Sequence, residues 1–476
     1  MIDVGLSRFR AVHHLRQALL LGLVPFVSLA AQQLTTDTRD PNQKQDPTFA
    51  QSYQEWLANP KHGSPLVDHL PLVAGIPTPR DVLGYHIGAP RKLTYYADQL
   101  KYYRALAAAS PRVKIETIGR SDEGRELVVV WIASEANMQR LAQNRANLAK
   151  IADPRGMTEA QVKAVLADTK PHYHFMGGLH SGETGPSEML MELAYRLVTE
   201  TSPLISQIRE QLYVSITPAA DADGRDRNVD WFFRGLDMAA AIPAPAITPV
   251  VTPAPAMPVA GDTARRAPAG APTAAPAGGG GFGGGAGVPY WGKYVYHDNN
   301  RDINIKLVQM RAIIDWYFTA YPPIMHDLHE AQPLLYTYTG GPPQNPNLDP
   351  ILFAELPWFG NWEMAQMTKW GMPGVYTHAF MDGWSPGYLG SVAYNHNGLM
   401  KMYETQSGRD LDSTAMANAR RGVTAATPAP GGGLGGGRGG GVPTGRGGAQ
   451  DREWYRRRRS SARPPASAPY AADSAA

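Results

Sequence analysis

The chain has 476 residues, 43% of them hydrophobic, which allows one large domain with accessory segments and a sizeable core, and excludes global disorder. Its formal charge of +3 is unevenly placed: from Arg409 onward 11 arginines, no lysine and 5 acidic residues give +6, leaving −3 on everything before, so the body offers no basic face for nucleic acid. Cysteine is absent, which removes disulfides, thiolate metal ligands and a cysteine nucleophile together.

Arg8, Arg10 and Arg16 precede an apolar run from Ala18 to Ala31 that ends in Ser28-Leu29-Ala30-Ala31. The run is short for a membrane span and closes on small residues, so residues 1–31 read as a cleaved signal peptide. The mature protein is then secreted or periplasmic, with no stable membrane anchor after signal removal. Residues 32–89 form a polar, Pro-containing N-terminal extension. Leu93–Ser110 has helical apolar spacing without internal Gly or Pro. Val113–Ile118 alternates as a strand, Gly119–Arg125 supplies a turn, and Leu127–Ile132 is an apolar buried strand. Helical segments follow at Glu135–Ile151 and Thr158–Asp168, then a strand at His172–Met176, a Gly-rich turn, a helix from Ser187 to Glu200 and a strand at Leu212–Thr217. Strands alternating with helices predict an α/β fold, a mixed central sheet flanked by helices.

Glycine (49) and proline (41) concentrate in two tracts. Residues 236–289, almost wholly Ala, Pro and Gly, read as a disordered insertion within a single domain spanning 90–421. Ordered patterning returns from Tyr290 to about Leu411. Residues 422–476 form a low-complexity Gly/Arg/Pro-rich tail, and only Asp412–Arg421 offers a further helix before it. A natural C-terminal region lost by truncation or frame shift is an alternative account of this end.

The sharpest motif is Gly177-Gly178-Leu179-His180-Ser181-Gly182-Glu183, which follows a strand and opens a helix. A loop there can aim the imidazole of His180 and the carboxylate of Glu183 at one point, and both are proper zinc ligands. His-x-x-Glu alone is a weak signal; the strand–Gly–Gly context strengthens it. A third ligand is sought in Pro323-Ile-Met-His326-Asp-Leu-His329-Glu330. Side chains alternate along a strand, so His326 and His329 face opposite ways. His329, at the strand's end, is the better ligand, and His326 the packed one.

This series resembles the zinc carboxypeptidase family of carboxypeptidases A and B, over roughly residues 90–410 and five ordered motifs. The resemblance implies one Zn2+ per chain on His180, Glu183 and His329, the last in its Asp327-Leu328-His329 context. The family's Asn-Pro-Asp-Gly turn is present as Asp221-Ala222-Asp223-Gly224, altered at its first two positions. Gly119–Arg125 matches a structural turn of the family. Downstream, Arg234 stands where an arginine polarises the scissile carbonyl. Asn299-Asn300-Arg301 resembles the motif that grips the substrate's terminal carboxylate, through Asn300 and Arg301. Glu404, in Tyr403-Glu404-Thr405, stands for the catalytic glutamate. The tyrosine that caps the substrate is assigned to Tyr388, with Tyr376 and Tyr394 as rivals. Together these imply a monomeric, secreted metallocarboxypeptidase acting on peptide or protein C-termini. A zinc amidase or deacylase of related fold, and a secreted binding protein without turnover, remain open alternatives.

Overall fold

The computed structural model describes residues 36–57, 60, 63–241, 298–302, 304–330, 334–340, 345–378 and 385–405. The signal peptide, most of the insertion, Asp412–Arg421 and the tail lie outside the described residues.

Helices α1 (Pro47–Trp56) and α2 (Pro79–Leu83) come first, each with proline in its first turn and capped by an oxygen-bearing side chain, Asp46 and Thr78 respectively. The segment expected as a mere extension is thus part of the fold: Phe49 and Leu70 enter the main core, and Tyr195 donates to the Pro71 carbonyl at 2.8 Å. Next come α3 (Tyr96–Ala109), β1 (Val113–Arg120) and β2 (Glu126–Ile132). The expected helix from Glu135 is broken at Arg140 into α4 (Glu135–Gln139) and α5 (Leu141–Ala152), and α6 (Glu159–Asp168) follows. After β3 (His172–Met176), α7 begins at Thr184, three residues before the expected Ser187, and runs to Thr199. A helix missed in the sequence, α8 (Pro203–Gln211), leads to β4 (Tyr213–Thr217).

Helix α9 (Ala222–Ala241) corrects two expectations. Ala222–Gly224 forms its first turn instead of a free-standing turn, because Asp221 caps it: the Asp221 carboxylate accepts the Gly224 N–H at 3.0 Å and its carbonyl accepts that of Arg225 at 2.9 Å. The helix also continues to Ala241, so the low-complexity tract does not begin at 236; Leu236 is buried. A helical turn at Asn299–Arg301 precedes α10 (Val308–Ala320), β5 (Ile324–His329) and β6 (Leu335–Thr337). The chain then forms α11 (Pro350–Lys369), β7 (Val375–Tyr376), α12 (Ser391–Tyr394) and β8 (Leu399–Thr405).

The strands form one mixed sheet in the order β1-β2-β4-β3-β5-β8-β6-β7. Its centre, β4-β3-β5-β8, is parallel, while β1/β2, β2/β4 and β6/β8 are antiparallel. Strand β2 shows why the apolar run sits inside. Val128, Val130 and Ile132 join the core made with α3 and α7, and Val129 and Trp131 join a second core with α4, α5 and α10. A strand buried on both faces has to be apolar throughout. The parallel centre directs the ends of β3, β4, β5 and β8 to one edge. The chain leaves β3 towards β4 on one side and β5 towards β6, beyond β8, on the other, which makes the β3/β5 junction the switch point at which ligands bind in sheets of this kind.

Because Phe49 is 5% exposed within the main core, Phe49→Ala is expected to cost about 3–5 kcal/mol of unfolding free energy in urea titration. A change under about 1 kcal/mol, as for a surface position, would make residues 36–89 an appendage after all.

Candidate metal centre

The loop after β3 is fixed from several sides. Gly178 takes φ +60°, a backbone conformation that lets the chain reverse immediately beyond the strand. The Gly177 and Gly178 carbonyls accept the N–H groups of Ala220 and Asp221, at 2.8 and 3.0 Å, and Asn299 donates to the Leu179 carbonyl at 2.9 Å. His180 and Glu183 follow on this clamped segment, with Glu183 directly before α7.

Glu183 meets both candidate histidines. One carboxylate oxygen is 2.9 Å from His180 Nδ1 and the other 2.8 Å from His329 Nδ1. One ligand atom from each of the three residues lies within 4.8 Å of the other two, and all three residues are buried. The remaining ring nitrogens face carboxylates too: His180 Nε2 is 2.9 Å from Asp298, and His329 Nε2 is 2.8 Å from Asp327. A metal-binding imidazole characteristically donates its outer N–H to such a carboxylate, which fixes the ring and raises its basicity. Asp298 and Asp327 had no role assigned from the sequence. The signal was an acid two residues before each of Asn300 and His329, visible only once those were placed.

The charges are tightly coupled. Burial pushes the His180 pKa down, but Glu183 and Asp298 outweigh it and raise it to about 9. Burial likewise opposes charge on His329, and Asp327 with Glu183 lifts it well above the ordinary histidine value. Burial would raise Glu183; the two imidazoles hold it well below the usual carboxylate range. Such a cluster calls for positive charge at its centre. Two imidazole nitrogens and one carboxylate, buried and backed by two further carboxylates, are a donor set that fits zinc.

Other histidines stand apart. His326 points to the opposite face of β5 from His329, with its Nδ1 2.7 Å from the Tyr173 hydroxyl, and packs against Phe175 and Tyr403. His172 and His174 are buried in the sheet, where both contact the Ser215 hydroxyl, at 2.6 and 2.7 Å; burial lowers the His172 pKa to about 3, so its ring is neutral.

The remaining predicted residues divide. Glu404 is the register partner of His329 across parallel β5 and β8, so the two side chains share a face, and it is buried. Asn300 lies at the cluster: its amide nitrogen is 3.3 Å from His329 Nε2 and its oxygen accepts the Leu389 N–H at 3.0 Å. Arg301 places its guanidinium 4.4 Å from the centre of the Tyr388 ring, so these two predicted residues are in direct contact. Tyr394 instead donates to the Met400 carbonyl, and Tyr376 packs on Tyr336. Arg234 is exposed on α9, where its charge acts on Tyr95, and among the described residues no hydrogen bond joins it to the cluster. Glu330, a conceivable alternative base, accepts the Gly185 N–H in the first turn of α7 at 2.8 Å, a capping contact.

Zinc analysis of purified variants separates the two histidines of β5. His329→Ala is expected to lose stoichiometric metal, and His326→Ala to retain it. Metal lost from His326→Ala and kept by His329→Ala would reverse the assignment.

Distant likenesses exist among solved structures. A metallo-carboxypeptidase from Burkholderia cenocepacia is 11% identical, with 67% of this chain and 61% of that chain covered and a TM-score of 0.39. The carboxypeptidase A from Helicoverpa armigera is 13% identical over 70% of each chain, with a TM-score of 0.39. This chain therefore spans about 61% of the length of the first of these. No curated protein matches the chain. Residues 100–231, which carry His180 and Glu183, do match the family model described as zinc carboxypeptidase, and the resemblance of this chain to that family is shown over that span.

Proposed function

We propose that the protein is an exported zinc-dependent carboxypeptidase that removes C-terminal residues from peptides. The observation that carries this reading is the buried His180–Glu183–His329 cluster, each imidazole backed by a carboxylate, with Glu404 alongside His329 on the neighbouring strand.

His180, Glu183 and His329 would hold one zinc ion per chain. Zinc held there would supply a Lewis acid able to polarise a carbonyl and acidify a water molecule. Glu404 is assigned the proton transfers, taking a proton from the attacking water and delivering it to the leaving amine. Its burial beside His329 suits this role, because a carboxylate screened from bulk water acts on the reacting group and not on solvent. Arg301 is assigned the terminal carboxylate of the peptide, through a charge-assisted contact. Asn300 stands between Arg301 and His329 and so links carboxylate recognition to the metal ligands. Tyr388, already stacked on Arg301, would cover the bound residue. Arg234 would have to reach the scissile carbonyl from its exposed place on α9 to stabilise the oxyanion. Export is assigned to residues 1–31; no helix among the described residues is long and apolar enough to cross a membrane.

Two measurements test this reading. A peptide ending in a free acid is expected to be cleaved far faster than its amidated twin, since loss of such a charged contact costs roughly 2–5 kcal/mol. Equal rates would replace the exopeptidase by an endopeptidase or amidase. For Glu404→Gln, turnover is expected to fall about 10²–10⁴-fold with zinc content unchanged, because the amide keeps the shape but cannot accept the proton. Near-native turnover with full metal would remove Glu404 from the chemistry.

A further inference from the structure

We propose that Asp221 is a positioning residue for the metal ligands, its carboxyl joining the His180 loop to the turn that carries Asp298 and Asn300. The inference rests on the metal-binding reading above, and extends it to a residue that neither coordinates nor transfers protons.

Asp221 lies in the loop that follows β4, against the loop after β3, and is 1% exposed. Its N–H already binds the Gly178 carbonyl, two residues before His180. Its side chain works on the other side of the histidine. One carboxyl oxygen accepts the Gly224 N–H at 3.0 Å, while the other adjoins Ser181, the residue that follows His180. A Cβ at position 224 would collide with both that oxygen and the Ser181 hydroxyl, so the absence of a side chain at Gly224 lets them meet. Ser181 is also reached by the Asn228 amide at 3.2 Å. Asn299, the third neighbour of the Asp221 carboxyl, grips the Leu179 carbonyl and sits between Asp298, which orients His180, and Asn300, which touches His329. The residues on both sides of His180 are therefore held by one small polar set with Asp221 at its centre.

The form of the carboxyl matters. Its Oδ2 atom is buried without a well-formed hydrogen bond among the described residues, a position that an ionised oxygen tolerates poorly. Burial raises the Asp221 pKa to about 7, against the pull of the Gly224 and Ser181 contacts and with help from the charge of Asp223. In its protonated form, which a pKa of about 7 populates near neutrality, the carboxyl offers one acceptor to Gly224 and one donor to its neighbours, the hydrogen-bonding pattern of an asparagine.

The test measures zinc affinity of the full chain by competition with a chromogenic chelator, alongside the melting temperature of each variant. Asp221→Ala is expected to bind zinc about 10–100-fold more weakly, and Asp221→Asn within about threefold of the native chain, the range seen for partners that orient metal ligands. Native affinity in Asp221→Ala would overturn the proposal, as would an Asp221→Asn variant that weakens as far as the alanine. Should Asp221→Ala fail to fold, Ser181→Ala serves in its place, with the same loss expected and unchanged affinity counting against the proposal. His180→Ala provides the reference: if it too binds zinc natively, the metal-centre reading itself falls, whereas loss in His180→Ala with none in Asp221→Ala rejects only the role of Asp221.

Discussion

Glu183 sets its two oxygens 2.9 Å from one imidazole and 2.8 Å from another inside a buried pocket, and a carboxylate so placed has to be met by positive charge. Nearly every other feature of the site serves that requirement. Two histidines supply nitrogen from different parts of the chain, one in the loop beyond β3 and one at the end of β5. Parallel pairing of those strands, Met176 opposite Asp327, delivers both to the same edge of the sheet. Asp298, partly buried, and Asp327, fully buried, then occupy the outer nitrogens, so neither ring can turn away without giving up a contact to a carboxylate. The excess of acid over base around the cluster makes a divalent cation the natural counter-charge, and ion binding there would displace protons from the imidazoles.

Beyond Asp298 and Asp327, much of the support around the ligands is uncharged. Asn299, Asn300, Ser181 and Asn228 hold the backbone and the ligands by amide and hydroxyl contacts. Salt bridges brace these contacts: buried Arg225 on α9 pairs with Glu188 on α7 and donates to the Thr184 carbonyl, next to Glu183, at 2.9 Å, and Arg125, in the β1–β2 turn, pairs with Asp223 and Asp226 on the first turns of α9. That turn was recognised in the sequence only as a structural signature. Its work is to pin the start of α9, and hence the segment bearing Asp221, to the antiparallel edge of the sheet.

Much of this was legible beforehand, and for identifiable reasons. The apolar run of β2, the Gly-Gly turn after β3 and the His-x-x-Glu spacing are local patterns, each with a direct physical meaning, and they led to an α/β sheet and to His180, Glu183 and His329 as candidates. Period-two alternation was enough to set His326 and His329 on opposite faces. The misses have a common cause in long-range packing. Residues 36–89 look polar, yet a few side chains such as Phe49 and Leu70 tie them into the core. Helix α9 outlasts the composition change at 236 because Leu236 is buried, which no window of sequence shows. Asp298 and Asp327 became recognisable only through their distance to a ring nitrogen. Arg234 illustrates the reverse: spacing along the chain suggested a role, while α9 puts the side chain on its exposed flank.

The position of β8 has a consequence for how the molecule is built. Although last among the described strands, it lies between β5 and β6, and β6 with β7 is joined to the rest of the sheet only through it. Until residues 399–405 have been made, β5 presents an open edge and the far strands have nothing to add to. Contacts so distant in sequence form late, after their loop-closure entropy has been met. The strand that completes the sheet also brings Glu404 up to His329. Completion of the sheet and assembly of the candidate active site therefore depend on the same strand, and a chain released short of Thr405 would be unfinished in both senses at once.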